Sequence, residues 1–396
     1  MFEQLETLPP DPILGLSVAF REDPSPAKVD MSVGIYRDRS GRTPVLEAVQ
    51  AAERALIEDQ STKAYLPPAG SPGFRESIFK LVLGEAAGSL RERTTTIQAP
   101  GGCGALRLGA ELIQRAAPGA TIHLSDPTWP NHGPLMAGAG LRLERYPYYD
   151  PTTHSLQAQS MLDGLEAVAP GSVVMLQASC HNPTGVDPDR GQWQAILEVV
   201  AHRRLVPFFD IAYQGLGDDL DTDAWSIREV ARRVPEMLVA VSCSKNLGLY
   251  RERTGALIAL GADAGRAKAL ESQANKAARS MYSMAPSHGA LIAERVMADP
   301  ALSALWCREL AEMASRLRSL REALAAEIEA ARPGTDASWL PAQRGMFSLL
   351  GLPAEAVTTL REQAHIYMGF DSRVNIAGLS EDKVAEVARL IAPHLA

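Results

Sequence analysis

The chain has 396 residues, with 39 basic and 47 acidic side chains and a formal charge of −8. It is long enough to bury one large core and a second, smaller one, and its acidic balance argues against a nucleic-acid surface. Met1-Phe2-Glu3-Gln4-Leu5-Glu6 does not read as a signal peptide, no apolar run approaches membrane-spanning length, and the scattered Cys103, Cys180, Cys243 and Cys307 fit a reduced cytoplasm better than a disulfide framework or a zinc site.

Residues 1–30 are punctuated by Pro9-Pro10-Asp11-Pro12 and Pro24-Ser25-Pro26, which predicts an extended arm with a short helix over 13–20. Met31-Ser32-Val33-Gly34-Ile35-Tyr36-Arg37-Asp38 reads as a strand running into a turn, with Gly34 allowing close backbone approach. Over 46–57, Val49, Ala52 and Leu56 recur at helical spacing, and residues 63–70 follow as a loop carrying Tyr65. Gln98-Ala99-Pro100-Gly101-Gly102-Cys103-Gly104 opens onto a helix over 105–113. A glycine-rich turn at a helix start is either a tight turn or an anion site made by free N–H groups and the helix dipole. It does not match the GxGxxG pattern, because Arg107 takes the last glycine's place, nor the P-loop, which needs a lysine after its final glycine.

Residues 121–125 are a strand, and its loop Asp126-Pro127-Thr128-Trp129-Pro130-Asn131-His132 holds a tryptophan suited to packing or to an aromatic platform. A second buried strand, 173–177, ends in Ala178-Ser179-Cys180-His181-Asn182-Pro183-Thr184-Gly185, where Asn-Pro and Thr-Gly signal a turn. A third runs through Val206, Phe208 and Phe209 to Asp210, with Tyr213 three residues on. A carboxylate in such apolar company is either a structural ion pair or a functional group. The run 237–241 leads into Ser242-Cys243-Ser244-Lys245-Asn246-Leu247-Gly248-Leu249-Tyr250-Arg251-Glu252-Arg253. Lys245 thus stands just past a strand end, where open α/β sheets place their ligands. A lysine there either snorkels to water or forms a Schiff base, and the hydroxyls and guanidinium nearby, suited to a phosphate, favour the second.

Asn182, Asp210 and Lys245 each follow a separate apolar run, the pattern of an active site at the carboxyl edge of a mostly parallel sheet. For Arg253 to face that edge, the strand over 256–260 must run antiparallel. Arg279 follows a further helix, residues 302–331 are helical, and residues 379–396 close with an amphipathic helix. In Asp371-Ser372-Arg373-Val374-Asn375-Ile376-Ala377-Gly378, an arginine entering an apolar strand needs a carboxylate partner.

SxSKNxGLYxER, with Lys245 as its lysine, closely resembles the cofactor-lysine segment of fold-type I aminotransferases, above all the aspartate and aromatic amino-acid aminotransferases. DPTWPNH and HNPTG recur in that family's order, and the resemblance spans almost the whole chain. It implies an α/β fold-type I pyridoxal-phosphate-dependent transferase: a large domain with a mostly parallel seven-stranded sheet sandwiched by helices, and a smaller α+β domain. The boundaries it suggests are an arm at 1–12, a small domain from 13–42 and 312–396, and a large domain at 43–311.

The same resemblance assigns roles. Lys245 would hold pyridoxal 5′-phosphate and move the proton. Asp210, with His132 behind it, would pair with the pyridine nitrogen, Trp129 would stack on the ring, and Asn182 and Tyr213 would bond the phenolic oxygen. Gly101, Gly102, Cys103, Ser242 and Arg253 would hold the phosphate, joined by Tyr65 from the other subunit of a homodimer. Arg373 would grip the substrate's α-carboxylate, Arg279 of the neighbouring subunit its distal carboxylate, and Gly34 would line the pocket with Trp129 and Asn182. Cys103 stands where the family usually has a hydroxyl, a better donor than a thiol. Gln177 stands where close relatives usually have a histidine bonded to the pyridine-nitrogen carboxylate. Met281 and Met284 replace residues that are usually polar, consistent with an apolar-tolerant pocket.

The expected activity is amino transfer from aspartate or aromatic amino acids to 2-oxoglutarate by a ping-pong route in the cytoplasm, without metal, nucleic acid or membrane. A lyase of the same fold is disfavoured by the retained pair Arg373 and Arg279. A cofactor-sensing regulator is disfavoured because no basic helix-turn-helix segment precedes residue 30.

Overall fold

Seven runs become the strands of one sheet: β1 (Thr94–Pro100), β2 (Thr121–Asp126), β3 (Arg142–Pro147), β4 (Val173–Gln177), β5 (Val206–Ile211), β6 (Met237–Ser242) and β7 (Thr254–Leu260). In space they lie in the order β1-β7-β6-β5-β4-β2-β3. β4, β6 and β7 are buried along their whole length, as strands covered on both faces must be, which is why they read as uninterrupted apolar runs. β1 and β3 are the edge strands, and β3 is the exposed one. Its exposed Arg142, Glu144 and Arg145 guard the open ladder with charge and also hide the strand from a hydrophobicity search.

The computed structural model describes residues 1–8 and 12–395, so residues 9–11 of the proline-punctuated arm lie outside the described residues. The chain falls into two units: Pro44–Arg316 with Gln343–Gly345, which holds the sheet, and Met1–Thr43, Leu317–Ala342 and Met346–Ala396. The boundary between Arg316 and Leu317 falls inside the helix Pro300–Ala331.

The sheet is parallel except for β7, which is antiparallel to both its neighbours, β1 and β6, as expected for the strand after Arg253. Consequently the carboxyl ends of β1, β2, β4, β5 and β6 and the amino end of β7 share one edge. Phe208 packs into a core with Leu106 and Leu108 of the helix Gly101–Ala116 and Ala274 and Ala277 of the helix Ala264–Met281. Its neighbour Phe209 points to the other face, 6.0 Å from Trp193 of the helix Arg190–His202. Each large apolar side chain buried this way stabilises the fold by roughly 1.5–3 kcal/mol.

The second unit carries two small sheets. Val29–Asp30 pairs in parallel with Ile366–Tyr367, and Phe347–Leu349 pairs antiparallel with Arg373–Asn375. The expected strand at 31–38 is displaced: only Val29 and Asp30 join a ladder. Met31 still makes backbone bonds to Tyr367 (2.8 Å) and Asn375 (2.7 Å), and beyond it a side chain takes over, with Asn375 Nδ2 donating to the carbonyls of Val33 (2.6 Å) and Ile35 (2.9 Å). The short N-terminal helix is present as Pro12–Glu22, and the closing helix as Val384–Ile391.

Candidate active site

β1 ends at Pro100 and the helix Gly101–Ala116 begins at the next residue, so the glycine turn is that helix's first turn rather than a separate loop. Its unpaired N–H groups therefore face the common edge of the sheet. Gly101 has φ +72°, and a Cβ built on it would lie 2.6 Å from Arg253 Nη2; one on Gly102 would lie 3.1 Å from Ser242 Cβ. Missing side chains thus open a cradle bounded by the helix start, the end of β6 and Arg253. Ser242 Oγ donates to Ser244 Oγ (3.0 Å), and Arg253 Nη1 donates to the Tyr250 carbonyl (2.9 Å). Arg253 has φ +53°, a left-handed conformation rare for residues other than glycine and concentrated at functional sites. Cys103 is half-buried, and its sulfur accepts a long bond (3.8 Å) from Asn131 Nδ2, which ties the turn to the loop after β2.

That loop carries Trp129 and His132. His132 is fully buried, its Nε2 is 3.1 Å from Asp210 Oδ2, and its Nδ1 is 2.8 Å from Thr128 Oγ1. The half-buried Trp129 ring meets the His132 ring edge-on at 5.3 Å. Asp210, 8% exposed, sits one residue before the end of β5, so its burial is answered by a polar partner rather than by solvent. Lys245 follows β6, and its Nζ lies 5.1 Å from the centroid of the buried Tyr213 ring, an attractive cation–ring contact.

The turn after β4 is tied at both sides. Asp187 accepts from the N–H groups of Cys180 (2.6 Å) and His181 (2.9 Å). Burial pushes the Asp187 carboxyl up to about 6, against the pull of those two donors. His181 lies between Ser125 Oγ (3.1 Å) and Thr184 Oγ1 (2.9 Å) and stacks on Tyr148 with ring centroids 4.0 Å apart. Burial, with a smaller effect from His132, pushes the His181 imidazole down to about 3, so it is neutral at ordinary pH. Gln177 is turned toward Asn182, and the Asp210 carboxylate is met by His132.

In the other unit, Gly34 and Arg373 flank one ring. The Arg373 guanidinium lies 4.5 Å over the centroid of Phe347, and a Cβ on Gly34 would stand 2.7 Å from Phe347 Cζ. Arg373 Nη2 also donates to the Ser32 carbonyl (3.2 Å). In the sheet-bearing unit, Arg279, expected just beyond a helix, is instead in the last turn of Ala264–Met281, exposed, with its Nη1 donating to Ser283 Oγ. Met281 packs against the core, and Met284 Sδ accepts from the Leu66 N–H, beside the 92% exposed Tyr65.

A family profile described as aminotransferase class I and II matches residues 26–391. The chain belongs to the class I and II aminotransferases. Among similar proteins, an aromatic-amino-acid aminotransferase of Pseudomonas aeruginosa is 44% identical over 99% of this chain and 98% of its own. An aspartate aminotransferase of Escherichia coli is 38% identical over 99% of each chain. A crystal structure of an aromatic-amino-acid aminotransferase from Burkholderia pseudomallei, covalently bound to pyridoxal phosphate, superposes with a TM-score of 0.97 at 41% identity over both full chains. In this aminotransferase, the residues that motif reading missed are those that hold others in place: Thr128, Ser125, Thr184 and Asp187. Each is an ordinary polar residue whose partner is fixed only by the folded backbone.

Proposed function

We propose that this aminotransferase uses pyridoxal phosphate to move the amino group of aspartate, or of an aromatic amino acid, to 2-oxoglutarate by a ping-pong route. The observation that carries this reading is the meeting, on one edge of one sheet, of a lysine amine, a buried carboxylate backed by histidine, and a cradle shaped for an anion. The cradle fits a phosphate, because Gly101 and Gly102 lack the side chains that would fill it and Arg253 and Ser242 border it. When bound, the chemistry pyridoxal phosphate supplies is an aldehyde that receives the amino group and a ring that takes up the electron pair released at the substrate's α-carbon.

The chain's own residues do the rest. Gly101, Gly102, Cys103, Ser242 and Arg253 hold the phosphate, and Trp129 offers a ring face. Asp210, kept in register by His132, keeps the pyridine nitrogen protonated. Asn182 and Tyr213 bond the phenolic oxygen. Lys245 Nζ takes the proton from the substrate's α-carbon as general base and gives it up as general acid. Arg373 grips the α-carboxylate with a planar fork that its contact with Phe347 helps to orient, while Gly34 leaves that ring its space.

The exposed Tyr65 and Arg279 support a homodimer in which each subunit lends both residues to the other's site. The names of the similar proteins support both donors, and Arg279 answers a distal carboxylate. Cys103, Cys180, Cys243 and Cys307 form no disulfide, which supports a reducing, cytoplasmic setting. Replacing Lys245→Ala should abolish turnover while leaving cofactor binding detectable by absorbance after gel filtration. Full activity in that variant would refute the assignment.

A further inference from the structure

Gln177 is the last residue of β4, and its carboxamide makes two bonds to a single residue. Its Oε1 accepts from the Asn182 N–H at 2.9 Å, and its Nε2 donates to the Asn182 carbonyl at 2.9 Å. We infer that Gln177 is a positioning residue that fixes Asn182 by clasping its backbone at both polar atoms. The inference rests on the role given above to Asn182, as donor to the cofactor's phenolic oxygen.

The chemistry of the side chain supports this. A carboxamide carries a donor and an acceptor side by side, so it can serve one residue's N–H and C=O as a neighbouring strand would. A carboxylate has no donor, and a neutral imidazole has its single donor and single acceptor on separate ring nitrogens. The clasp is needed because the chain has left the ladder at Asn182, and the following Pro183 has no N–H to continue one. Both residues are buried, Gln177 to 9% and Asn182 to 6% exposure, so neither backbone group of Asn182 is readily served by water. Asp187 holds the other side of the same turn through Cys180 and His181.

Gln177 is also the ladder partner of Asp210 across β4 and β5. The clasp on Asn182 is therefore built on the same rung that carries Asp210, while His132 meets the Asp210 carboxylate from another loop. Separate residues thus hold Asn182 and Asp210. Losing the clasp removes both of these bonds from a buried backbone, and the turn relaxes to compensate. The Asn182 amide then moves off the phenolic oxygen. Without that donor the oxygen's negative charge would be less stabilised, and the Lys245 nitrogen, joined to the cofactor beside that oxygen, would keep its proton to higher pH.

The test is a pH titration of the visible absorbance of the pyridoxal-phosphate-loaded protein, for wild type, Gln177→Leu, Gln177→Glu, Asn182→Ala and the double variant Gln177→Leu/Asn182→Ala. Asn182→Ala should raise the midpoint by about one unit or more, the scale of one hydrogen bond to a charged oxygen. Gln177→Leu should raise it in the same direction by a part of that shift and add nothing in the double variant. Gln177→Glu has the same shape, keeps the acceptor for the Asn182 N–H and loses the donor, so it should give a smaller rise and serves if the leucine variant does not fold. Unmoved midpoints in the Gln177 variants, with Asn182→Ala shifted, would overturn the positioning role and leave the Asn182 assignment standing. A Gln177→Leu shift that persists in full in the double variant would overturn it as well, since the effect would not pass through Asn182. An unmoved midpoint in Asn182→Ala would remove the Asn182 assignment and this inference together.

Discussion

At Gly101 the absence of a side chain is what leaves the proposed phosphate cradle open. Its φ of +72° costs an L-residue about 1–2 kcal/mol, and a Cβ there would stand 2.6 Å from Arg253 Nη2. Gly101→Ala should therefore raise the dissociation constant for pyridoxal phosphate by about tenfold or more, about 1.4 kcal/mol per tenfold, as read by equilibrium dialysis. An unchanged constant in a folded variant would contradict the cradle. His181 makes a different kind of prediction. Its imidazole is held at about 3 in the folded chain against an ordinary 6.5, so between those values the unfolded chain binds a proton that the folded chain refuses. Its contribution is thus intact above pH 6.5 and is lost as the pH falls toward 3, with a slope of up to about 1.4 kcal/mol per pH unit. Asp187, raised to about 6 from 3.8, acts in the opposite sense and weakens the fold as the pH rises between those values. Comparing wild type with His181→Asn in urea titrations isolates the histidine. The variant should lose less stability between pH 6.5 and 4, and parallel profiles would show that His181 does not drive the acid sensitivity.

Among the elements, the strand Arg373–Asn375 and the segment around Gly34 work as one device, joined by Asn375 Nδ2 and separated by the Phe347 ring. Gly34→Ala would push that ring from beneath Arg373. KM for the amino acid and for the oxo acid should both rise by about tenfold, because both carry the carboxylate proposed to bind Arg373, while cofactor affinity stays unchanged. A change in only one KM would separate Gly34 from Arg373. The strands that were legible in the sequence are those buried on both faces, where an apolar run has no other explanation. β3 and β1 were not: β3 is an edge strand defended by charge, and β1, at the other edge, is buried but opens on Thr94-Thr95-Thr96 rather than on an apolar run. The segment over 31–38 misled because Met31 and Tyr36 are buried there without extending the ladder, the carbonyls of Val33 and Ile35 being held by the side chain of Asn375 across more than three hundred residues. Arg279 was placed past its helix because nothing in Ala277-Ala278-Arg279-Ser280-Met281 marks the last turn.

Across the whole molecule, topology turns scattered residues into a site. One antiparallel strand at β7 brings Arg253 to the edge already shared by the ends of β1, β2, β4, β5 and β6. Residues whose chemistry is conspicuous against their surroundings, Lys245 after β6 and Asp210 within β5, could be read from the sequence. The fit between Ser125 and His181, or between Gln177 and Asn182, could not, since it depends on where a turn closes. Donor preference also belongs to this scale, because Arg279 and Tyr65 lie exposed on the single chain. The most direct measurement is a half-reaction: the protein loaded with pyridoxal phosphate is given aspartate or phenylalanine separately, with no oxo acid, and the cofactor's spectrum is followed. Conversion to the pyridoxamine form with both amino acids, and with neither in Lys245→Ala, is the predicted result. Failure to convert with either amino acid in the wild-type protein would contradict it.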